Sequence, residues 1–208
     1  LKEKTGWAKS GDEVGHNQLR LTERVKKDFS EKEIAEYRVE EKGVHWEISN
    51  GANLMRFDRI FGRLSLHNRN WGNLFLESPQ VTVWRAPTDN DANFVGQWKK
   101  DWLHLMQQKV MSVQFQKNSH AEVEVICRIS PPVTIEKRWI DCTYRYKILS
   151  AREFELEIDC NNPYVDIPRL GVEFAIPKKV DEVVWYGLGP EENYSDSQSN
   201  ALLGIHSK

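Results

Sequence analysis

From Glu153 to Cys160 the chain reads Glu-Phe-Glu-Leu-Glu-Ile-Asp-Cys, with acidic and apolar residues alternating without a fault. Successive side chains of a strand point to opposite faces, so Phe154, Leu156, Ile158 and Cys160 share one face and four acids the other. A helix would scatter the same residues around its circumference. The stretch predicts a half-buried antiparallel strand. The same period returns at Val44, Trp46 and Ile48, at Val123, Val125, Cys127 and Ile129, at Tyr144, Tyr146 and Ile148, and at Val172, Phe174 and Ile176. Many such strands, regularly spaced, predict an all-β sandwich.

The stretch Val83–Trp98, VWRAPTDNDANFVGQW, breaks this pattern. Arg85, Pro87, Asp89, Asn90 and Asp91 are turn-forming and hydrogen-bonding residues, so a strand should end near Trp84. Asp89 and Asp91 stand two apart, which would suit a cation if further oxygen ligands followed, but the Gly and distal Glu of a calcium loop are not there. The expectation is structural: carboxylates and Asn90 accept backbone N–H groups, Arg85 serves as a bidentate partner, and Arg85, Asp89 and Asn90 anchor the loop. Just beyond it, Trp98, Trp102 and Leu105 fall at i, i+4 and i+7, which predicts a helix packing its tryptophans on a sheet.

The chain has 208 residues, with 29 Lys plus Arg against 31 Asp plus Glu, and its basic residues are scattered, so a nucleic-acid partner is not expected. Trp7 and the alternating Leu19 and Leu21 suggest a last strand, and the charge-dense RVKKDFSEKEIAEY after them reads as a linker. The expected organisation is the end of one domain at residues 1–24, a linker at 25–35 and a second domain at 36–208. The chain opens on Leu1 and closes on ALLGIHSK, which suggests a piece of something longer. A sandwich cut in this way would leave an open edge and self-associate.

No apolar run approaches the roughly 20 residues of a membrane span, and the charged opening lacks the apolar core of a secretory signal. Cys127, Cys142 and Cys160 have neither a disulfide framework's even count nor metal-type spacing, and read as ordinary thiols in a cytoplasmic setting. Asn193-Tyr-Ser195 matches a glycosylation acceptor, which matters only in a secreted chain. His16, His45, His67, His104, His120 and His206 show no metal spacing, and no Ser sits in a nucleophile elbow. Gly187-Leu-Gly189-Pro190 lacks the third glycine of a dinucleotide fingerprint and reads as a turn after a strand. Adjacent Glu191 and Glu192 make a poor glycosidase pair, because neighbours on a strand face opposite ways. No catalytic residue and no metal ligand is nominated.

Two motifs together carry a resemblance: Arg85-Ala-Pro-Thr-Asp-Asn-Asp91 and Trp185-Tyr-Gly-Leu-Gly-Pro-Glu-Glu-Asn-Tyr194. In order and separation they resemble signatures of the C-terminal β-sandwich domain of the bacterial β-galactosidases of glycoside hydrolase family 2, the small-chain region. Phe57-Asp-Arg-Ile-Phe-Gly-Arg-Leu64 is similar to the family's preceding hairpin, and Pro168-Arg-Leu-Gly-Val-Glu-Phe174 to a later strand. Trp7 to Gly15, with Gln18 to Leu21, resembles the close of an immunoglobulin-like domain.

The resemblance implies a supersandwich of the galactose-mutarotase type for residues 36–208. It places the catalytic glutamates, with Mg2+ and Na+, in a TIM barrel elsewhere, and a cleft-lining tryptophan beyond Lys208. It also implies a galactoside such as lactose as substrate, a barrel domain or large subunit as partner, and a homo-oligomer. Asp91, Ala92, Asn93, Phe94 and Val95 become candidates for the rim of the sugar cleft, where a loop edge excludes water and positions substrate without doing chemistry. Two other readings stay open. One is a carbohydrate-binding or assembly module using aromatics such as Trp71 or Trp98; the other is an aldose mutarotase, which needs a histidine and a carboxylate converging on one concave face.

Overall fold

The structure is a computed structural model. It describes residues 2–12, 15, 18, 19, 21, 37–117, 120–133, 139–151, 153–161, 166–190, 193, 198 and 201–208. Its contacts divide the chain into one unit of residues 30–178 and another of residues 1–29 with 179–208. The strands among the described residues all pair antiparallel, through their backbone N–H and carbonyl groups.

In the larger unit, β1 (Arg38–Lys42), β2 (His45–Ser49), β3 (Asn53–Asp58), β4 (Leu64–Asn68) and β5 (Gly72–Asn73) form a meander in chain order. β6 (Glu77–Thr82) pairs with β11 (Gly171–Ala175). β7 (Gln107–Lys117), β8 (Ala121–Ser130), β9 (Ile140–Ser150) and β10 (Glu153–Asn161) make a second sheet in the order β10-β9-β8-β7. Val123, Val125, Cys127 and Ile129 are buried, as are Tyr144, Tyr146 and Ile148, while Phe154, Leu156, Ile158 and Cys160 pack half-buried against them.

The core lies between the two sheets. Trp46, Ile48, Met55, Phe57 and Leu64 of the meander meet the apolar face of β8 and β9. Phe57 stands edge-on to Tyr146 with ring centroids 5.2 Å apart, and Trp46 stacks on Phe115 at the same 5.2 Å. Each such side chain, fully buried, contributes about 1.5–3 kcal/mol. Polar ties complete the join: the buried Tyr144 hydroxyl accepts from the Val81 N–H at 2.8 Å and donates to Gln108 Oε1 at 3.0 Å.

The predicted hairpin at 57–64 is the β3–β4 turn. Asp58 Oδ1 accepts the N–H groups of Ile60 and Phe61, both at 2.7 Å. Gly62 has φ +60°, and a Cβ there would lie 2.5 Å from Val125 Cγ1. Only glycine combines that left-handed backbone with such close approach to the opposing sheet.

Four expectations are corrected. Val44 and the pair Val172 and Phe174 are exposed, so alternation there marks a strand or its edge without marking burial. The strand expected around Leu19 and Leu21 is not formed among the described residues, and both leucines are exposed.

The helix is also shorter than its period suggested: α1 runs only Val95–Lys100. The Asp101 N–H closes on the Gln97 carbonyl at 2.9 Å, Trp102 turns left-handed at φ 59°, and a 3-10 turn comes next at Leu103–Leu105. Trp98 and Leu103 are buried as a result, whereas Trp102 and Leu105 are exposed.

The smaller unit holds β12 (Val184–Gly189) paired with β13 (Leu202–Ser207). The strand runs through Gly187 to Gly189, so the turn expected within Gly187–Pro190 does not begin before the strand's last residue. A Cβ on Gly189 would lie 2.8 Å from the His206 ring, which packs at 5.5 Å from Trp185. Gln18 imitates a strand partner: its side-chain amide donates to the Leu203 carbonyl and accepts the Leu203 N–H, both at 2.8 Å. No helix among the described residues is long and apolar enough to cross a membrane.

Candidate functional site

Beyond Val83 the chain leaves the sheet, and one carboxylate shapes the loop that it enters. Asp91 is only 6% exposed. Its Oδ2 accepts the Thr88 N–H at 2.8 Å and the Thr88 hydroxyl at 3.1 Å, and the Arg85 guanidinium grips both oxygens at 2.8 Å. Arg85 Nε meanwhile donates to the Pro168 carbonyl at 3.0 Å, joining the loop to the segment that leads into β11. The Thr88 N–H foremost, then its hydroxyl and Arg85, hold the Asp91 carboxyl below the usual carboxylate range, against burial that pushes it up. Charge-assisted, bidentate bonds of this kind fix geometry as well as supply energy.

The roles therefore redistribute among the residues read from the sequence. Arg85 bonds to the Pro168 carbonyl and to the Asp91 carboxylate. Asp91, a rim candidate, is the residue that Arg85 holds. Asp89 and Asn90 are exposed and their side chains make no hydrogen bond among the described residues, although Asp89 accepts through its backbone. Only one of the three acid-amide side chains can occupy the inward position of so tight a turn. Reading residue types in the loop misses Thr88, and Thr-x-x-Asp is the signal that finds it. A residue at the third position of a helical turn reaches back to the first N–H, as in half of a capping box.

Past the clamp, Ala92, Asn93 and Phe94 are exposed, Phe94 by 51%, while Val95 is half-buried. Phe94 stacks on Trp98, and Trp98 meets Trp84 edge-on at 6.4 Å. Trp98 is 6% exposed, which removes it as a sugar platform; Trp71 is exposed. Beside this aromatic layer, His104 lies 5.4 Å from the Trp84 ring and helps line a cleft of about 210 Å³.

A second, polar cleft of about 480 Å³ lies in the meander unit, lined by His45, Arg56, Asp58, Arg63, Asn73 and Phe75 among others. His45 Nε2 stands 3.7 Å from Asp58 Oδ2, a histidine and a carboxylate on one concavity. Asp58 is already committed through its other oxygen to the hairpin turn. Among the described residues no group of three His, Cys, Asp or Glu side chains is placed to hold a metal ion. Of the second motif, Trp185 and Asn193 both donate to the Leu188 carbonyl, at 3.3 and 3.1 Å. Glu191, Glu192, Tyr194 and Ser195 lie outside the described residues.

Known proteins are similar to this chain over nearly its whole length. The chain is 26% identical over 219 residues to the β-galactosidase of Kluyveromyces lactis, covering 99% of this chain and 21% of that protein. It is 25% identical over 210 residues to the β-galactosidase of Priestia megaterium, and 27% over 213 residues to that of Clostridium acetobutylicum, covering 99% of this chain in both cases and 20% and 23% of those proteins. The chain thus spans about a fifth of the length of these curated relatives. The profile of the β-galactosidase small-chain family matches residues 49–208. On that match the chain belongs to the β-galactosidase small-chain family.

Proposed function

We propose that this chain is a non-catalytic part of a retaining β-galactosidase of glycoside hydrolase family 2, forming one edge of the cleft that receives terminal β-D-galactosides such as lactose. The observation that carries the reading is the braced loop. Asp91, Arg85 and Thr88 hold it rigidly at its base, and it presents Ala92, Asn93 and Phe94 to solvent. A fixed base under an exposed aromatic is what a cleft wall needs in order to position a sugar and exclude water without touching the bond that breaks. In a retaining glycosidase two carboxyl groups about 5–5.5 Å apart perform the cleavage. We assign these, with Mg2+ and Na+, to a barrel on another part of the enzyme.

The two facing antiparallel sheets of the larger unit support a supersandwich of the galactose-mutarotase type. Residues 1–24 would close an immunoglobulin-like domain, with 25–35 as the linker. A cytoplasmic homo-oligomer is the expected setting. The decisive experiment combines this chain with the barrel-bearing remainder and assays a chromogenic β-galactoside. Alone the chain should show no turnover. In the reconstituted enzyme Phe94→Ala should lower kcat/KM about tenfold, a positioning loss of about 1.4 kcal/mol. Turnover by the chain alone, or unchanged kinetics in the variant, would remove the reading.

A second reading rests on the polar cleft, where His45, Arg56, Asp58 and Asn73 offer donors and acceptors beside Phe75. Such a mixture suits sugar hydroxyls, as a binding subsite or, through the His45–Asp58 pair, for anomer interconversion. Titration with galactose, and its rate of mutarotation with and without the protein, separate the two; Arg56→Ala should abolish binding if either holds.

A further inference from the structure

The three cysteines, far apart in sequence, lie in one row across the second sheet. Cys127 of β8 is the register partner of Cys142 of β9, and Cys142 is the register partner of Cys160 of β10. Register partners on antiparallel strands have Cα atoms about 4.5–5.5 Å apart. That interval lies within the roughly 4.4–6.8 Å over which a disulfide closes without moving the backbone. Cys142 Sγ and Cys160 Sγ are 3.2 Å apart, with both thiols free. Cys127 and Cys142 are buried, while Cys160 sits half-buried on β10, the last strand on its side of the sheet.

We propose that Cys142 and Cys160 form an oxidisable pair that closes into a reversible cross-strand disulfide tying β10 to β9, with a peroxide as oxidant. Cys160 reacts first because it is the thiol a small oxidant reaches. Its thiolate attacks one peroxide oxygen, the O–O bond breaks to give a sulfenic acid, and the departing hydroxide becomes water with the proton that the Cys160 thiol released. The Cys142 thiolate then attacks the sulfenic sulfur, the S–S bond forms, the S–O bond breaks, and hydroxide leaves as a second water with the thiol's proton. Two thiols lose two electrons and two protons, and the peroxide is reduced to two waters.

Burial, with the Cys142 sulfur beside it, pushes the Cys160 thiol up to about 12. The Cys127 sulfur and burial raise Cys142 further. Thiolates are scarce in such surroundings, so the pair should stay reduced under mild conditions and close slowly under peroxide. Cys127 is the control built into the fold. It is equally in register with Cys142 but shut inside the core.

The test treats the purified native protein with hydrogen peroxide, alkylates remaining thiols in denaturant, and maps the peptides before and after dithiothreitol. The expected result is a linked peptide pair carrying Cys142 and Cys160, Cys127 alkylated, and all three thiols recovered on reduction. Cys127→Ser should keep the link and Cys160→Ser should abolish it. If either variant fails to fold, the map of the unsubstituted protein decides alone. A Cys127–Cys142 link, overoxidation of Cys160 beside an alkylatable Cys142, or three alkylatable thiols would each overturn the proposal.

Discussion

The β8–β9 sheet and the Arg85–Val95 loop are held by opposite means. Between the strands, Val123, Val125, Tyr144, Tyr146 and Ile148 are buried as one apolar face, and the attraction among them is non-directional and spread over many contacts. In the loop, a single carboxylate receives Thr88 and Arg85, and Arg85 reaches on to the Pro168 carbonyl. The sheet tolerates a different apolar residue of similar size, because only volume must be conserved. The loop does not tolerate a near-isosteric change at Asp91, because an amide offers Arg85 no charge and only one acceptor oxygen. Bulk holds the scaffold, and a few directional bonds hold the edge that the scaffold presents.

The largest effect should come from cutting into the bulk. Ile148→Ala, at a fully buried position, should destabilise by about 2–5 kcal/mol in denaturant titration, whereas Ile148→Val should cost about 0.5–1.5 kcal/mol. Similar costs for the two would break the volume argument. Next is the contact between sheet and hairpin. Gly62→Ala adds a methyl against Val125 at a left-handed position and should cost about 1–3 kcal/mol, measured the same way.

Asp91→Asn should leave the main unfolding transition nearly in place yet loosen the loop, read as altered fluorescence of Trp84 and Trp98. Its pH dependence has a definite sign. The Asp91 pKa is lowered in the folded chain, so its contribution is complete above the ordinary carboxylate range and is lost as pH falls through the lower folded value. The unsubstituted protein should therefore show a loop transition on the acid side of the usual carboxylate range, and Asp91→Asn should lack it. Last, Phe94→Ala should cost no more than about 1 kcal/mol, because the half-exposed ring loses only its stack on Trp98. A larger change would make Phe94 a packing residue and weaken its place on the rim.

Much of the scaffold is legible in the residues. β8, β9 and β10 come from their period alone, because a side-chain repeat of two admits only one way to bury a single face. The hairpin at 57–64 is legible from its resemblance to a known one, and Asp58 and Gly62 supply its physical cause. The segment after Lys100 is not legible. A helical period runs on through Trp102 and Leu105, but the capping bond at Asp101 and the left-handed Trp102 end the helix and turn Leu103 inward instead. Periodicity states which residues could share a face; it does not state where the backbone stops.

The chain's own order of residues determined that it would be an all-β protein and where its loop would leave the sheet, since both depend on local period and turn chemistry. Tertiary structure alone decided that Arg85 reaches the Pro168 carbonyl, and that Cys127, Cys142 and Cys160 stand in one row. Those outcomes depend on strand register and on a carbonyl 83 residues away from the arginine that binds it. Contacts between residues so distant along the chain come into being only when the strands pair and the chain folds back on itself.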